Sequence, residues 1–271
     1  MLRFRLKTLL VCVTLICVAL GYLVSTRLTA HRKIQKLTAV FGTMLGEPQP
    51  RDFLDRWLGI ATHESIYEVS FGELQSDDDL LSSLRMFHGL ETLYFCEVSL
   101  SEENLKAIPT LPNVKKLEID DWQQNEFTLA ELRLLLSRFP FLQEVKFQEC
   151  HHLNDELLRS LPSSLQTIEI EKCKNVSGEF LDGANKWPDL ETIYLEWVPI
   201  NAATIDALAK YKQLDTAWLT TSVPDDGNCD FFHLASSVKI NRLALWGFGI
   251  DAETEMKLKQ QFPDVRWIIR D

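Results

Sequence analysis

The 271-residue sequence predicts an α/β solenoid of tandem strand, turn and helix units behind one apolar N-terminal helix. Three observations predict it. In VKFQECHHLNDELLRSLP, Val145 to Pro162, Val145 and Phe147 alternate as in a half-buried strand and Cys150 stands at a turn. Leu153 then anchors the chain, Asn154 opens a helix carrying Leu157 and Leu161, and Pro162 stops it. This spacing recurs: the second strand anchors are Val69, Leu93, Leu117, Val145, Ile168, Ile193, Ala217, Leu243 and Ile268, separated by 24, 24, 28, 23, 25, 24, 26 and 25 residues. Finally, Thr8 to Thr26 is a run of nineteen residues without a charge.

A period of about 20 to 29 residues with an L-x-x-L-x-L frame reads as leucine-rich repeats, whose units bury their apolar faces only by stacking on one another. Because each repeat packs on its neighbours, one solenoid accommodates a chain of this length. Apolar residues at 46% and charged residues at 25% fit a folded protein. Residues 1 to 36 carry seven Lys or Arg and no acid, which leaves 21 basic and 39 acidic side chains in the other 235, a formal balance of −18. A domain so acidic repels phosphate, so nucleic acid is not an expected partner.

Residues 1 to 29 read as an N-terminal anchor, with a transmembrane helix over about residues 8 to 26. Arg3, Arg5 and Lys7 precede the span and Arg27 follows it. Nineteen helical residues cover about 28 Å, close to the hydrocarbon thickness of a bilayer. A cleaved signal peptide is the alternative, since Ala19-Leu20-Gly21 offers small residues at both ends of a cleavage-like site. Apolar character nevertheless continues through Tyr22, Leu23 and Val24. Cys12 and Cys17 fall within the span as small apolar residues. The expectation is a single-pass protein of the cell (inner or cytoplasmic) membrane. Basic residues on both sides weaken the charge rule; the likeness to signal anchors puts the repeats on the extracytoplasmic side.

Residues 30 to 64 read as a juxtamembrane helix and an N-terminal cap. Ile34, Leu37, Val40, Phe41 and Leu45 continue a helical stripe that Gly46-Glu47-Pro48-Gln49-Pro50 breaks. Phe53, Leu54, Trp57, Leu58 and Ile60 then form a short amphipathic stretch suited to covering the first repeat's open edge, or alternatively to lying on the membrane.

Residues 65 to 271 hold about eight or nine repeats. Ser76, Ser101, Thr128, Asn154, Ser177, Asn201 and Asp251 each precede a helical stretch, where a side-chain oxygen takes up unpaired backbone N–H groups, and Thr128 with Glu131 forms a capping box. Pro112, Pro140, Pro162, Pro188 and Pro263 stand just before the following strand, where proline ends a helix and favours an extended predecessor.

ECHHLNDELL at 149 to 158 and KCKNVSGEFL at 172 to 181 resemble the cysteine-containing and ribonuclease-inhibitor-like leucine-rich repeats. The order of basic start, single anchor, cap with Trp57-Leu58 and then repeats resembles bacterial membrane-anchored leucine-rich-repeat proteins. Departures are Val98, Val198 and Phe248 at the Cys position, the small anchor Ala217, and an added loop near Trp122 to Glu126. The resemblance implies a parallel sheet on the concave face, helices on the convex face, and ligand binding on the concave sheet.

Strand alternation then lists that face, since residues flanking buried anchors point the other way. One column reads Ser70, Tyr94, Glu118, Lys146, Glu169, Tyr194, Trp218, Ala244 and Ile269; a second reads Gly72, Cys96, Asp120, Gln148, Glu171, Glu196, Thr220, Trp246 and Asp271. The candidate binding residues are Tyr94, Glu118, Asp120, Glu169, Glu171, Tyr194, Glu196, Trp218 and Trp246. Exposed Tyr and Trp beside carboxylates suit a protein partner with a basic or amphipathic surface. The competing expectation is that Trp218, Trp246 and Trp267 together shield the last strands as a C-terminal cap.

Chemistry-bearing motifs are scarce. Cys150-His151-His152 with Asp155 holds metal-ligand types, but the repeat frame itself uses Cys150, and zinc sites draw paired ligands from two segments. Cys150 and Cys173 occupy equivalent turns and are expected as stacked buried thiols, with a disulfide the alternative. Residues 224 to 230, PDDGNCD, miss the calcium-loop spacing, and no Ser or Cys sits in a nucleophile elbow. The expected protein is a non-catalytic binding module without metal or cofactor. A self-associating structural component of the cell surface is the alternative.

Overall fold

A computed structural model describes residues 21, 22, 25, 68–72, 78–97, 100–121, 128–183, 186–222 and 229–270. Nine parallel strands run through them in sequence order: β1 Glu68–Gly72, β2 Thr92–Cys96, β3 Lys116–Asp120, β4 Glu144–Gln148, β5 Thr167–Glu171, β6 Thr192–Val198, β7 Gln213–Thr221, β8 Lys239–Trp246 and β9 Arg266–Arg270. Between them run helices α1 Asp78–Ser83, α2 Glu102–Ala107, α3 Leu129–Leu136, α4 Asp155–Leu158, α5 Ala202–Leu208, α6 Phe231–Ser237 and α7 Ala252–Gln261. Two 3-10 turns, Leu84–Met86 and Glu179–Asp182, also lie between the strands. Each strand pairs with the next at the cost of one short crossover, so the sheet grows without long loops. This is a leucine-rich-repeat-like α/β solenoid.

The apolar period explains the core. Strands β2 to β5 each bury their second and fourth residues and leave the other three half-exposed. The inward pairs run Leu93 and Phe95, Leu117 and Ile119, Val145 and Phe147, Ile168 and Ile170, all essentially inaccessible to water. Helix residues such as Leu105, Leu132, Leu157 and Leu158 close the layer from the other side. Burying one such side chain contributes roughly 1.5–3 kcal/mol, so continuity across repeats stabilises units that none could support alone.

Caps fix the helix starts. Ser101 and Asn104, Thr128 and Glu131, and Asn201 and Thr204 form reciprocal capping boxes, while Asn154 and Asp251 accept from Leu157 N–H and Thr254 N–H. Asp230, not anticipated from the sequence, caps α6 through His233 N–H at 2.9 Å. Ser177 differs from expectation. Its repeat forms a 3-10 turn rather than an α-helix, and Asp155 of the preceding repeat accepts from the backbone N–H of Ser177 and Phe180 at 2.9 and 3.0 Å. Gly178 sits at φ +85°, and a Cβ there would lie 2.4 Å from Thr204 Cγ2, so the close approach of α5 requires glycine.

The register of β9 corrects the last anchor. Leu243 pairs with Trp267, Ala244 with Ile268 and Trp246 with Arg270. The outward columns therefore end in Ile268 and Arg270, not Ile269 and Asp271. Trp267-Ile268-Ile269 is apolar throughout, so alternation gives no register there and ladder pairing with β8 decides it. Trp267 donates its indole N–H to Phe262 O at 3.2 Å on the helix side. It thus lies on the opposite face from Trp218 and Trp246, and the three do not form one shield.

Cys150 and Cys173 are both buried thiols, donating to the carbonyls of Gln148 and Glu171 at 3.3 and 3.4 Å. The expected anchor at residues 8 to 26 lies outside the described residues except for Gly21, Tyr22 and Ser25, which are helical. Among the described residues no helix is long and apolar enough to cross a membrane. The juxtamembrane helix and cap at 30 to 64, the loop near Trp122 to Glu126, Ser76 and Val98 also lie outside them.

Candidate functional site

The site is the outward face of the sheet, and its side chains are set by strand register. Tyr94, Glu118, Lys146, Glu169, Tyr194 and Trp218 occupy successive strands in one row, while Cys96, Asp120, Gln148, Glu171, Glu196, Thr220 and Trp246 form the neighbouring row. All nine residues singled out from the sequence therefore share one face. They do not form one cluster.

At the N-terminal end, Tyr94 donates its hydroxyl to Asp120 Oδ2 at 2.9 Å. Burial, with the neighbouring Cys96 thiol and the Asp120 carboxylate adding to it, holds the phenol well above its ordinary pKa, so it acts as a hydrogen-bond donor throughout the physiological range. Burial likewise pushes the Cys96 thiol up.

The middle is charged. Across β3 to β6 the outward positions carry six carboxylates, Glu118, Asp120, Glu144, Glu169, Glu171 and Glu196, against Lys116 and Lys146. Lys116 bonds Glu118 at 2.6 Å, and Lys146 reaches Glu171 at 3.7 Å. Burial alone would lower the Lys116 pKa, but the Glu118 carboxylate outweighs it and the net shift is upward. Glu169 and Glu196 stand apart: among the described residues neither side-chain carboxylate has an ion-pair or hydrogen-bond partner. Burial lifts the pKa of both, offset at Glu169 by Lys146 and reinforced at Glu196 by the Glu171 charge. Lys146 also offsets the shift at Glu196, but it contacts neither carboxylate directly, so two partly desolvated carboxylates lack a bonded counter-ion.

Next to them is an aromatic ladder. Tyr194 and Trp218 have ring centroids 6.1 Å apart, Trp218 and Trp246 5.6 Å, and the Arg270 guanidinium lies 4.9 Å above Trp246. The rings cover the small residues of β7 and β8, so Thr220 and Ala244, expected to be exposed, are buried. The indole N–H groups of Trp218 and Trp246 and the Thr220 hydroxyl are buried without a partner. Each such group costs roughly 1–3 kcal/mol.

Lys116 and Arg270 were missed. Lys116 lies two residues before Glu118 on the same face and was findable by extending the alternation; Arg270 was hidden by the ambiguous register of β9. Among the described residues no group of three His, Cys, Asp or Glu is arranged to hold a metal ion.

A chain of the crystal structure of the Rad7 and Elc1 complex in yeast is similar in fold, with a TM-score of 0.56 and 17% identity, covering 98% of this chain and 73% of that one. No family model and no curated protein matches the sequence.

Proposed function

We propose that this protein is a membrane-anchored leucine-rich-repeat binding module that docks a basic protein segment on its concave sheet and performs no bond chemistry of its own. The observation that carries this reading is the juxtaposition of Glu169 and Glu196, whose carboxylates have no bonded partner among the described residues, with the Tyr194, Trp218 and Trp246 ladder. A lysine or arginine side chain laid across β5 to β7 meets carboxylates on one side and ring faces on the other. Cation–π contact and ion pairing then act in the same partly dried space. Anchoring rests on the uncharged run from Thr8 to Thr26, and the extracytoplasmic placement of the repeats on its likeness to signal anchors. The similar fold of a chain solved within a two-protein complex is in keeping with a binding role.

The test is binding of a fluorescent Lys/Arg-rich peptide to the full-length chain in mild detergent, compared with the double variant Trp218→Ala, Glu196→Gln. Loss of about 2 kcal/mol or more of binding free energy in the variant is expected, as for an interface hot spot. Unchanged affinity, or preference for an acidic peptide on this face, overturns the reading. Concentration-dependent dimerisation that buries Trp218 would replace it with self-association.

A further inference from the structure

At the ends of β2 to β5 and β8 the chain turns through a residue with positive φ, Glu97 at 53°, Asp121 at 49°, Glu149 at 53°, Lys172 at 53° and Gly247 at 78°, and Trp197, the last residue but one of β6, takes the same conformation at 55°. The N–H groups of Glu97, Asp121 and Glu149 donate to the last carbonyl of the following strand at 2.9 to 3.0 Å, and that of Lys172 donates to Glu196 O, two residues before the end of β6, at 2.8 Å. The left-handed turn thus recurs at most of the described strand ends, and its side chains are exposed or half-exposed. Four of the occupants are charged and one is glycine, as an outward, conformationally costly position favours. Trp197 is the exception. It is 48% exposed, and packing gives no reason for a large apolar ring there.

Three further observations converge on it. The pairing of β6 with β7 shifts between Glu196 and Val198, an irregularity of the kind that re-aims a side chain. A concavity of about 430 Å³ opens beside the ring, lined by Glu149, His151, Lys172, Lys174, Trp197 and Ser222. Its lining carries one carboxylate, Glu149, against two lysines. Lys172 lies between Glu149 at 2.8 Å and Glu171 at 3.4 Å, so the cation left over is Lys174, exposed and without an ion pair among the described residues, beside His151.

We propose that Trp197, Lys174 and His151 form a second docking site, on the strand-exit edge of the solenoid, for an acidic protein segment that carries an aromatic or large aliphatic side chain. The apolar side chain lies on the Trp197 ring in the concavity, and flanking carboxylates meet Lys174 and His151. Charge complementarity selects this occupant: the concave sheet offers carboxylates to cations, whereas this edge offers the Lys174 ammonium, the His151 imidazole as a hydrogen-bonding group, and a ring. The two sites together would let one chain hold two partners of opposite charge.

The test uses the full-length chain in mild detergent and three labelled twelve-residue peptides: Asp/Glu-rich with a central Phe, the same with Phe→Ser, and a Lys-rich peptide with the Phe. Trp197→Gly removes the ring while relieving the left-handed strain, so the expected result is an unchanged or raised melting temperature together with about tenfold weaker binding of the acidic Phe peptide. Lys174→Glu weakens that peptide with no change in melting temperature, and Trp218→Ala leaves it unaffected. A lowered melting temperature in Trp197→Gly shows that the ring is a packing element and overturns the proposal. So does affinity within twofold of the parent protein, or equal binding of the acidic Phe→Ser peptide at this edge.

Discussion

Strands β2 to β5 and strands β7 to β8 belong to one sheet and obey one repeat, yet they present different surfaces. In the first group burial alternates strictly, and the outward rows carry carboxylates and lysines. In the second, the outward Thr216, Thr220 and Ala244 are buried as well as the inward residues. The difference comes from what stands above them. Where outward side chains are long and charged they remain solvated, and the sheet has one core. Where Trp218 and Trp246, tilted by 45° to one another, stand beside Ala244 and Thr220, the outer face acquires a second apolar layer. A repeat scaffold thus acquires a local site through large rings over small residues, without any change in backbone period.

Truncating aromatics on the two faces gives the largest expected contrast. Trp187 is fully buried, packs edge-on against Phe180 at 5.9 Å and donates to Pro162 O at 2.9 Å. Trp187→Ala is expected to cost about 3–5 kcal/mol in urea denaturation, the range for aromatic core deletions. Trp218→Ala is expected to cost less than half as much, because its outer ring face is already wet and its indole N–H is unpartnered. Equal costs would mean that the ladder is ordinary core and would remove the basis for treating it as a site.

A smaller effect separates the two groups of strands along one row. Ala244 and Lys146 occupy the same outward row, but Ala244 lies fully buried beneath the rings. Ala244→Leu is expected to destabilise by about 1–3 kcal/mol through overpacking, whereas Lys146→Leu stays within about 0.5 kcal/mol. Thermal unfolding of both variants checks this. A tolerated Ala244→Leu would show that the second layer is loosely packed.

The smallest expected effect is electrostatic. Burial raises the pKa of Glu169 and Glu196, so each binds its proton more tightly in the folded than in the unfolded chain. Their contribution to stability is present below the ordinary carboxylate pKa and is lost as pH rises through the raised folded value. Glu169→Gln and Glu196→Gln should therefore each stabilise the protein slightly at pH 7, with the gain vanishing toward pH 4. Solvent screening of these partly exposed groups limits it to about half a kcal/mol each. Stabilisation that persists undiminished at pH 4 would contradict the sign of the linkage.

The sequence by itself determined what is local or repeated. Period, inward anchors and most caps follow from residues a few positions apart, and the stacking of identical units propagates them through the chain. The outward rows were legible for the same reason, because alternation has a period of two wherever one face is buried. Only the tertiary structure decided the rest. Pairing between strands, not the run Trp267-Ile268-Ile269, chose the register that puts Arg270 over Trp246. Contacts between repeats gave Asp155 the capping role expected of Ser177. Rings about 24 to 28 residues apart met only after stacking, burying Thr220 and Ala244, and backbone geometry at the strand exits turned Trp197 outward. Side-chain neighbours across strands depend on register and backbone angles, and neither is encoded in the spacing of a single repeat.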